Sequence, residues 1–516
     1  MFVTVQIVIY FLLNFLFAPV NPKPLALGVV KTQAGLVSGI KNQAGDVAIY
    51  RGIPFAAPPI KDLRWKAPQP VKPWSGVKRC EVFGPSPMQA DPAPFSMWSA
   101  EFLIPKEPIS EDCLYLNVWS GVKSAAEKRP VLVWIYGGGF NSGGSAVPIY
   151  DGEALAQKGI VFVSINYRVG IFGFFAHPDL SKESGKNASG NYGLLDQIAA
   201  LQWVQKNIAA FGGDPKNVTI AGQSAGSMSV NCLVASPLAK NLFVKAIAQS
   251  GANFSRGTTT LQQAEQDGVK LAQTVNVTSL ADLRAKPAKE LMQQTQARRG
   301  PIIDGYVLPM PIAEIFAAGQ ENKVALLTGW NEDEGLVFGP LKTAEEFRKQ
   351  AEQQYGAEAK TFLEHYPAGD EAQAINSQYR LSRDMIFGVQ NYTWANVQSQ
   401  QEKQKVFVYR FTRKVPATGE YVKYGAFHTG EVPYAYNNLK FVDRPWQPVD
   451  QQLASSMSAY WANFIKNGNP NGAGLPEWPA YNPKNNQIMI LDEKLTSRPL
   501  PDKSALDFIA TKMESK

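Results

Sequence analysis

The chain contains a serine at the centre of a Gly-x-Ser-x-Gly pentapeptide. Gly222, Ser224 and Gly226 follow the β-branched residues 218–220, and residues 227–233 can continue as a helix. Glycines on both sides leave room for a serine on a sharp turn between a strand and a helix, whose positive N-terminus then faces the hydroxyl. The pattern predicts that Ser224 is a nucleophile for acyl transfer. The short pattern alone has low specificity, so the rest of the chain must supply the partner groups.

Three consecutive glycines, Gly137 to Gly139, follow an apolar segment over 131–136. Without side chains, the backbone N–H groups of such a run can turn toward a bound carbonyl oxygen and stabilise the oxyanion formed during acyl transfer. The alternatives are a flexible turn or a phosphate-binding loop, but neither GK[ST] nor GxGxxG follows. The run is therefore interpreted as part of an oxyanion hole.

A general base must come from three histidines, His177, His365 and His428. An α/β-hydrolase places its residues in the order serine, acid, histidine, so His177 is excluded because it precedes Ser224. His365 is expected at the end of a helix on a charged surface, whereas His428 lies in a glycine-punctuated loop after a predicted strand. Loops carry functional residues more often than helix surfaces, which favours His428.

The acid that orients the histidine is expected between Ser224 and His428. Glu334 lies in an acidic loop that follows the apolar segment 324–328. In open α/β sheets the site lies at the carboxyl ends of the strands, so this position suits the acid. Glu332 and Asp333 are neighbours, and spacing alone does not choose among the three. The alternative is that the loop is simply solvated.

These features belong to longer motifs that resemble the type-B carboxylesterase and cholinesterase family of α/β-hydrolases. The resemblance extends over about residues 30 to 500. The matching segments are 211–226, which resembles the family's serine signature in full, 111–118, which resembles its second signature, and 50–56, 190–197 and 425–428.

The resemblance implies a complete catalytic site that needs neither a metal nor an organic cofactor. The implied roles are nucleophile for Ser224, acid for Glu334, base for His428, and oxyanion-hole donors for Gly138, Gly139 and Ala225. It also implies a loop-closing disulfide between Cys80 and Cys113, which leaves Cys232 as a buried free thiol. Trp98 lies within that loop and is expected to be a packing residue rather than a cation receptor.

The residue before the nucleophile departs from the family pattern. The family usually has glutamate there, and this chain has Gln223. The substitution removes a buried negative charge beside the catalytic histidine. We therefore predict weaker discrimination in favour of positively charged esters such as choline esters.

The composition fits one large folded enzyme: 516 residues, 45% hydrophobic and only 18% charged. We expect residues 27–516 to form a single α/β-hydrolase domain, since the catalytic residues come from distant segments and must share one sheet. The predicted architecture is a mostly parallel central sheet with helices on both faces and loop or helix insertions framing an active-site gorge. The predicted strands are 131–135, 160–165, 218–221, 244–248, 324–328 and 406–411. A helix is expected over 196–208, and exposed helices over 342–402.

The N-terminal residues 1–26 are expected to form a signal peptide or export segment, because residues 1–22 contain no charged side chain and are largely apolar. An uncleaved membrane anchor is the alternative. The net charge of +7, from 51 Lys and Arg against 44 Asp and Glu, is modest for this length and does not indicate nucleic-acid binding. The pair Arg298 and Arg299 either solvates a loop or reaches the gorge and recognises an anionic ester. The oligomeric state is not predicted.

The sequence as a whole predicts a secreted or periplasmic serine carboxylesterase that acts on small-molecule esters through an acyl-enzyme. The alternatives are an esterase for bulky or anionic natural-product esters, or a lipase. A non-catalytic binding relative fits less well, since such relatives have lost the nucleophile and this chain keeps serine, acid and histidine in order.

Overall fold

The fold was analysed in a computed structural model that describes residues 28–254, 259–293, 300–337, 339–401 and 404–514. The strands are β1 Val29–Lys31, β2 Leu36–Ser38, β3 Ile40–Lys41, β4 Ala48–Pro54, β5 Val77–Arg79, β6 Ser86–Pro87, β7 Ile109–Ser110, β8 Tyr115–Ser120, β9 Arg129–Ile135, β10 Val161–Ile165, β11 Gly213–Gln223, β12 Lys245–Gln249, β13 Ala325–Asn331, β14 Val406–Phe411, β15 Gln487–Leu491 and β16 Thr496–Pro499. The α-helices are α1 Glu153–Gln157, α2 Gly170–Phe174, α3 Pro178–Glu183, α4 Tyr192–Asn207, α5 Ala225–Ala235, α6 Leu261–Thr274, α7 Leu280–Ala285, α8 Ala288–Gln293, α9 Ile312–Ala317, α10 Ala344–Tyr355, α11 Ala359–His365, α12 Glu371–Arg383, α13 Val389–Ser399, α14 Val432–Ala435, α15 Pro448–Asn467 and α16 Lys503–Glu514.

An 11-stranded sheet organises the fold, in the order β16-β15-β14-β13-β12-β11-β9-β10-β8-β4-β3. The pairings from β15 across to β10 are parallel, while those at the two edges are antiparallel. The central strands are buried on both faces: every residue from Val131 to Ile135 is fully buried. Such continuous burial requires helices on both sides of the sheet. The predicted α/β-hydrolase architecture is therefore correct.

Each of the six predicted strands is present: the strand over 406–411 matches β14 at both ends, and the other five are shifted at one or both ends by one to five residues. The largest difference is β11, which begins at Gly213 rather than at residue 218. The helix predicted over 196–208 is α4, which starts earlier, and its Gln197 donates a hydrogen bond of 3.0 Å to Ser229 on α5. Continuous apolar segments were thus sufficient to locate the strands, and the helical spacing of apolar residues was sufficient to locate α4.

The prediction of exposed helices over 342–402 is correct for α10 and α12 and wrong for α13. In α13, residues such as Trp394 and Asn391 are completely buried, and the helix packs on β13 and β14. Residues 342–402 as a whole are rich in Gln, Glu, Lys and Ala, which suggested a solvated surface. Here the amides instead satisfy buried backbone groups, as Gln398 does for the carbonyl of Val324.

The predicted disulfide between Cys80 and Cys113 is not formed: both cysteines, and Cys232, are buried free thiols. The two thiols have different surroundings. Cys80 is near Lys78 and Glu81, whereas Cys113 is near the ion pair of Arg168 with Asp196. Burial raises the pKa of Cys80 to about 11 and that of Cys113 well above its usual range. The prediction for Cys232 as a buried free thiol is confirmed.

The export segment and the pair Arg298 and Arg299 lie outside the described residues. Within the described ranges, no helix combines the length and apolar character needed to cross a membrane.

We predict that Asn391→Ala destabilises the fold by about 2 kcal/mol, measured by urea unfolding. Asn391 Oδ1 accepts a 2.8 Å hydrogen bond from Gly251 N–H, and its Nδ2 donates one of 2.7 Å to Thr328 Oγ1. The alanine variant leaves a buried N–H group unpaired. Asn376→Ala on the exposed face of α12 is the matched control and should change the free energy of unfolding by less than about 0.5 kcal/mol. If the two substitutions changed the free energy of unfolding equally, the buried hydrogen bonds of Asn391 would not stabilise the fold as predicted.

Candidate active site

Ser224 occupies the turn between β11 and α5 in a strained backbone conformation, with φ 57° and ψ −125°. Its side chain is partly exposed, and its N–H group donates a 2.9 Å hydrogen bond to the carbonyl of Gln249 on β12. A Cβ atom on Gly222 would overlap Gly226, and one on Gly226 would overlap the carbonyl oxygen of Ile135. The flanking glycines are therefore required for close packing of the turn, as the pattern predicted.

The glycine run after β9 lies directly against the serine turn. A Cβ on Gly137 would come within 2.9 Å of Ser224 Cβ. Gly138 and Gly139 have φ values of 113° and 61°, which an L side chain rarely adopts. Within the described part of the chain, the N–H groups of Gly138, Gly139 and Ala225 donate no hydrogen bond. These donors remain available for a ligand beside Ser224.

His428 and Glu334 form a buried pair. His428 Nδ1 lies 2.8 Å from Glu334 Oε2, and the two side chains are 3% and 0% exposed. A carboxylate accepts, so Nδ1 donates the proton and Nε2 keeps its lone pair. The other oxygen, Glu334 Oε1, accepts a 2.8 Å hydrogen bond from Asn331 N–H at the end of β13. The carboxylate is held from both sides and fixes the orientation of the ring.

The two other acids of the same loop have different partners. Glu332 forms ion pairs of 2.9 Å with Arg383 and 2.7 Å with Arg410. Asp333 Oδ2 accepts a 2.8 Å hydrogen bond from Ala426 N–H. Of these three acids, Glu334 is therefore the one that contacts the imidazole.

The remaining histidines have structural contacts elsewhere. His177 caps the N-terminus of α3, where its Nδ1 accepts a 3.2 Å hydrogen bond from Asp179 N–H. His365 is the last residue of α11, and its ring centre is 5.9 Å from that of Phe508. Both positions agree with the sequence interpretation.

Aromatic and amide groups enclose the imidazole of His428. The ring of Phe387 stacks on it at 4.4 Å and 17°, and Trp98 approaches edge-on at 6.1 Å. Gln223 Nε2 is 3.1 Å from Nε2 and 3.4 Å from Nδ1 of His428. Because the amide is nearly equidistant from both nitrogens, it does not lie along the Nε2 lone pair. The imidazole of His428 is thus packed by Phe387, Trp98 and Gln223 and held in one orientation.

Comparison with known proteins identifies the family. The model of the carboxylesterase family matches residues 26–509. The chain is 38% identical to the fumonisin B1 esterase of Sphingopyxis macrogoltabida over 491 residues, which cover 90% of this chain and 86% of the relative. It is 34% identical to the para-nitrobenzyl esterase of Bacillus subtilis, with 91% and 95% covered, and 34% identical to liver carboxylesterase 1 of Oryctolagus cuniculus, with 93% and 92% covered.

The chain belongs to the carboxylesterase family. Its match extends over nearly the whole sequence, and the relatives named above are all esterases. This carboxylesterase is therefore a serine hydrolase of carboxylic esters, and small-molecule esters are its substrate class. The resemblance drawn from the sequence motifs is confirmed.

Sequence reasoning missed or underrated several residues around the histidine of this carboxylesterase. Phe387 gave no signal, because it lies in a π-helical turn, Asp384–Gly388, between α12 and α13. Trp98 was expected to pack; it does, but beside His428, and its Nε1 donates a 3.1 Å hydrogen bond to Thr429. Glu431 is completely buried, and only its position three residues after His428 could have singled it out.

We predict that Gly226→Ala lowers kcat/KM by about 10²-fold, since displacement of α5 from β9 moves Ser224 and Ala225 away from the glycine run. Initial rates on p-nitrophenyl butyrate measure the loss. Gly28→Ala is a suitable control because nothing lies within 4 Å of its Cβ position. Full activity in the Gly226 variant would show that the turn has more room than its packing indicates.

Proposed function

We propose that this carboxylesterase hydrolyses esters through an acyl-enzyme on Ser224, with His428 as the general base and Glu334 as its orienting acid. His428 Nε2 takes the serine proton as Oγ attacks the ester carbonyl. The N–H groups of Gly138, Gly139 and Ala225 then receive the oxyanion. The same histidine protonates the leaving alcohol, and a water molecule activated by it releases the acid.

The buried contact between His428 Nδ1 and Glu334 Oε2 carries this proposal. It leaves Nε2 as the only basic nitrogen of the ring, which is the tautomer that proton abstraction from serine requires. The strained φ of Ser224 adds support, because such a conformation is typical of a nucleophile on a strand-to-helix turn.

We further propose that the enzyme discriminates only weakly in favour of cationic esters. Gln223 is 2% exposed and contributes no charge, although its amide lies 3.1 Å from His428 Nε2. A glutamate at this position would supply a negative charge that attracts a cationic alcohol group. Without it, the region close to the histidine gives a quaternary ammonium group no specific advantage.

A second candidate substrate class consists of bulky natural-product esters. Fumonisin B1 esterase, at 38% identity, is named for such a substrate. Phe95 is 59% exposed, and its ring centre lies 4.8 Å from that of Trp98 at a tilt of 42°; Trp98 in turn approaches His428. This aromatic pair offers an apolar surface for a large acyl or alcohol group beside the base. Turnover of fumonisin B1 exceeding that of p-nitrophenyl butyrate in kcat/KM would favour this class, and the reverse order would favour simple esters.

The export segment over 1–26 and the single domain over 27–516 remain part of the proposal. Support for the single domain comes from the 11-stranded sheet, whose strands run from Ile40 to Pro499. Export is supported by the uncharged, apolar N-terminal sequence. N-terminal sequencing of protein recovered from the medium or periplasm, against the cell fraction, tests cleavage.

Replacement of the proposed nucleophile or the proposed acid should lower turnover strongly without unfolding the protein. Ser224→Ala is expected to lower kcat on p-nitrophenyl butyrate at least about 10⁴-fold. Glu334→Gln should cost about 10³- to 10⁴-fold, because an amide favours the wrong tautomer of His428. Stopped assays with purified, folded variants measure both losses.

The matched control is Asp333→Asn in the same loop. The amide retains an oxygen that can accept from Ala426 N–H, so the activity should stay within about threefold of wild type. A fluorophosphonate probe should label wild type and Asp333→Asn but not Ser224→Ala. Labelling of the alanine variant at another serine, together with full activity, would overturn the assigned nucleophile.

The charge of residue 223 is expected to set the preference for cationic esters. We predict that Gln223→Glu raises the ratio of kcat/KM for butyrylcholine to that for 3,3-dimethylbutyl butyrate by about tenfold. The two alcohols have the same shape and differ in charge, so the ratio isolates electrostatics. An unchanged ratio, or a wild-type enzyme that already favours butyrylcholine strongly, would refute the role of Gln223.

A further inference from the structure

Glu431 is a buried carboxyl group for which the proposed reaction has no role. It follows His428 by three residues at the start of α14 and is completely buried. Burying a carboxyl group is costly unless hydrogen bonds compensate, so its partners indicate what it does.

Glu431 connects the ends of two strands. Its Oε2 accepts a 2.6 Å hydrogen bond from Asn331 Nδ2 on β13, and its Oε1 accepts one of 3.1 Å from Gln249 Nε2 on β12. Asn331 Nδ2 also donates to the carbonyl of Phe427, the residue before His428, at 2.8 Å. The carboxyl group is therefore a shared acceptor between the strand ends and the histidine loop.

Both partners of Glu431 also hold a proposed catalytic residue. The N–H group of Asn331 donates to Glu334 Oε1 at 2.8 Å. The carbonyl of Gln249 accepts from Ser224 N–H at 2.9 Å. Glu431 is therefore linked to Glu334 through one intervening residue, Asn331, and to Ser224 through one intervening residue, Gln249.

The titratable groups that face Glu431 determine which positive charge its carboxylate can stabilise. They are Glu334 after β13, His428 on the same loop, Tyr409 on β14, Tyr436 after α14, and Tyr150 before α1. The pKa values of the three tyrosines are raised by burial and by Glu431, so these groups are neutral. Burial, followed by the charge of Glu334, raises the pKa of Glu431 to about 7, and the charge of His428 opposes this shift. Of the facing groups, His428 is therefore the one that can become a cation.

We propose that Glu431 is a positioning residue of the active site: it aligns Ser224, Glu334 and His428 through Gln249 and Asn331, and its negative charge stabilises protonated His428. The proposal rests on the catalytic roles given above. The imidazolium forms when His428 takes the serine proton, so a second carboxylate nearby lowers the energy of that state.

The test compares Glu431→Gln with wild type between pH 5.5 and 8.5. The glutamine keeps an acceptor and removes the charge. We expect kcat on p-nitrophenyl butyrate to fall about tenfold at pH 8, with KM within about twofold, and to fall less at pH 5.5, where the wild-type group is protonated. Glu420→Gln, an exposed glutamate in the preceding segment, is the control and should match wild type throughout.

Thermal unfolding supplies an independent readout. A carboxyl group whose pKa is raised in the fold stabilises the folded state at low pH, and this contribution is lost as pH rises from about 4.5 through about 7. Relative to Glu431→Gln, the wild-type Tm should therefore fall by about 2–5 °C between pH 5 and 8. Glu431→Ala, which loses both acceptors, should lower Tm at every pH.

Ser224→Ala is measured in parallel to separate this proposal from the catalytic assignment. If Ser224→Ala is inactive and Glu431→Gln retains wild-type kcat at every pH, the positioning role is wrong and the catalytic roles stand. The proposal is also wrong if Glu431→Gln lowers kcat equally at all pH values and its Tm has the same pH dependence as that of wild type. Such a result would show that the charge of Glu431 has no effect. Activity in Ser224→Ala would instead refute the catalytic roles.

Discussion

The parallel register of β11 to β14 places three distant segments of the chain at one edge of the sheet. Gln223 on β11 pairs with Gln249 on β12, which pairs with Gly329 on β13, which pairs with Tyr409 on β14. All four strands point the same way, so the loops that follow them emerge together. Ser224 comes directly after the first strand, whereas Glu334 and His428 follow the third and fourth.

Strand alignment brings the loops of the site together, but it does not fix the positions of their side chains. Polar contacts at the strand ends supply the remaining precision. Asn331 holds Glu334 with its backbone and Glu431 with its side chain, and Gln249 holds Ser224 and Glu431 in the corresponding way. Buried amides between buried acids avoid the cost of isolated charges and fix distances between loops. This explains why the edge of the sheet contains so many polar residues with almost no exposure.

The electrostatic character of the site depends on which of its buried acids form ion pairs with arginine. Glu332 is neutralised by Arg383 and Arg410, and their charges outweigh the effect of burial, so its pKa lies below the usual range. Among the described residues no arginine or lysine forms an ion pair with Glu431, and burial together with the charge of Glu334 raises its pKa. Gln223 adds no charge at all. The acids whose charges act on the imidazole of His428 are therefore Glu334 and Glu431, and residue 223 contributes none.

The sequence by itself determined the class of chemistry and most of the fold. Ser224 and the glycine run were recognisable because their chemistry requires local geometry, a sharp turn and free backbone N–H groups, which glycines record directly in the chain. The six strands of the parallel core were found because buried strands need continuous apolar residues. The tertiary structure alone decided which acid of residues 332–334 meets His428, that α13 is buried and that Glu431 joins two strand ends. These outcomes depend on contacts between segments far apart in sequence, and no local pattern encodes them.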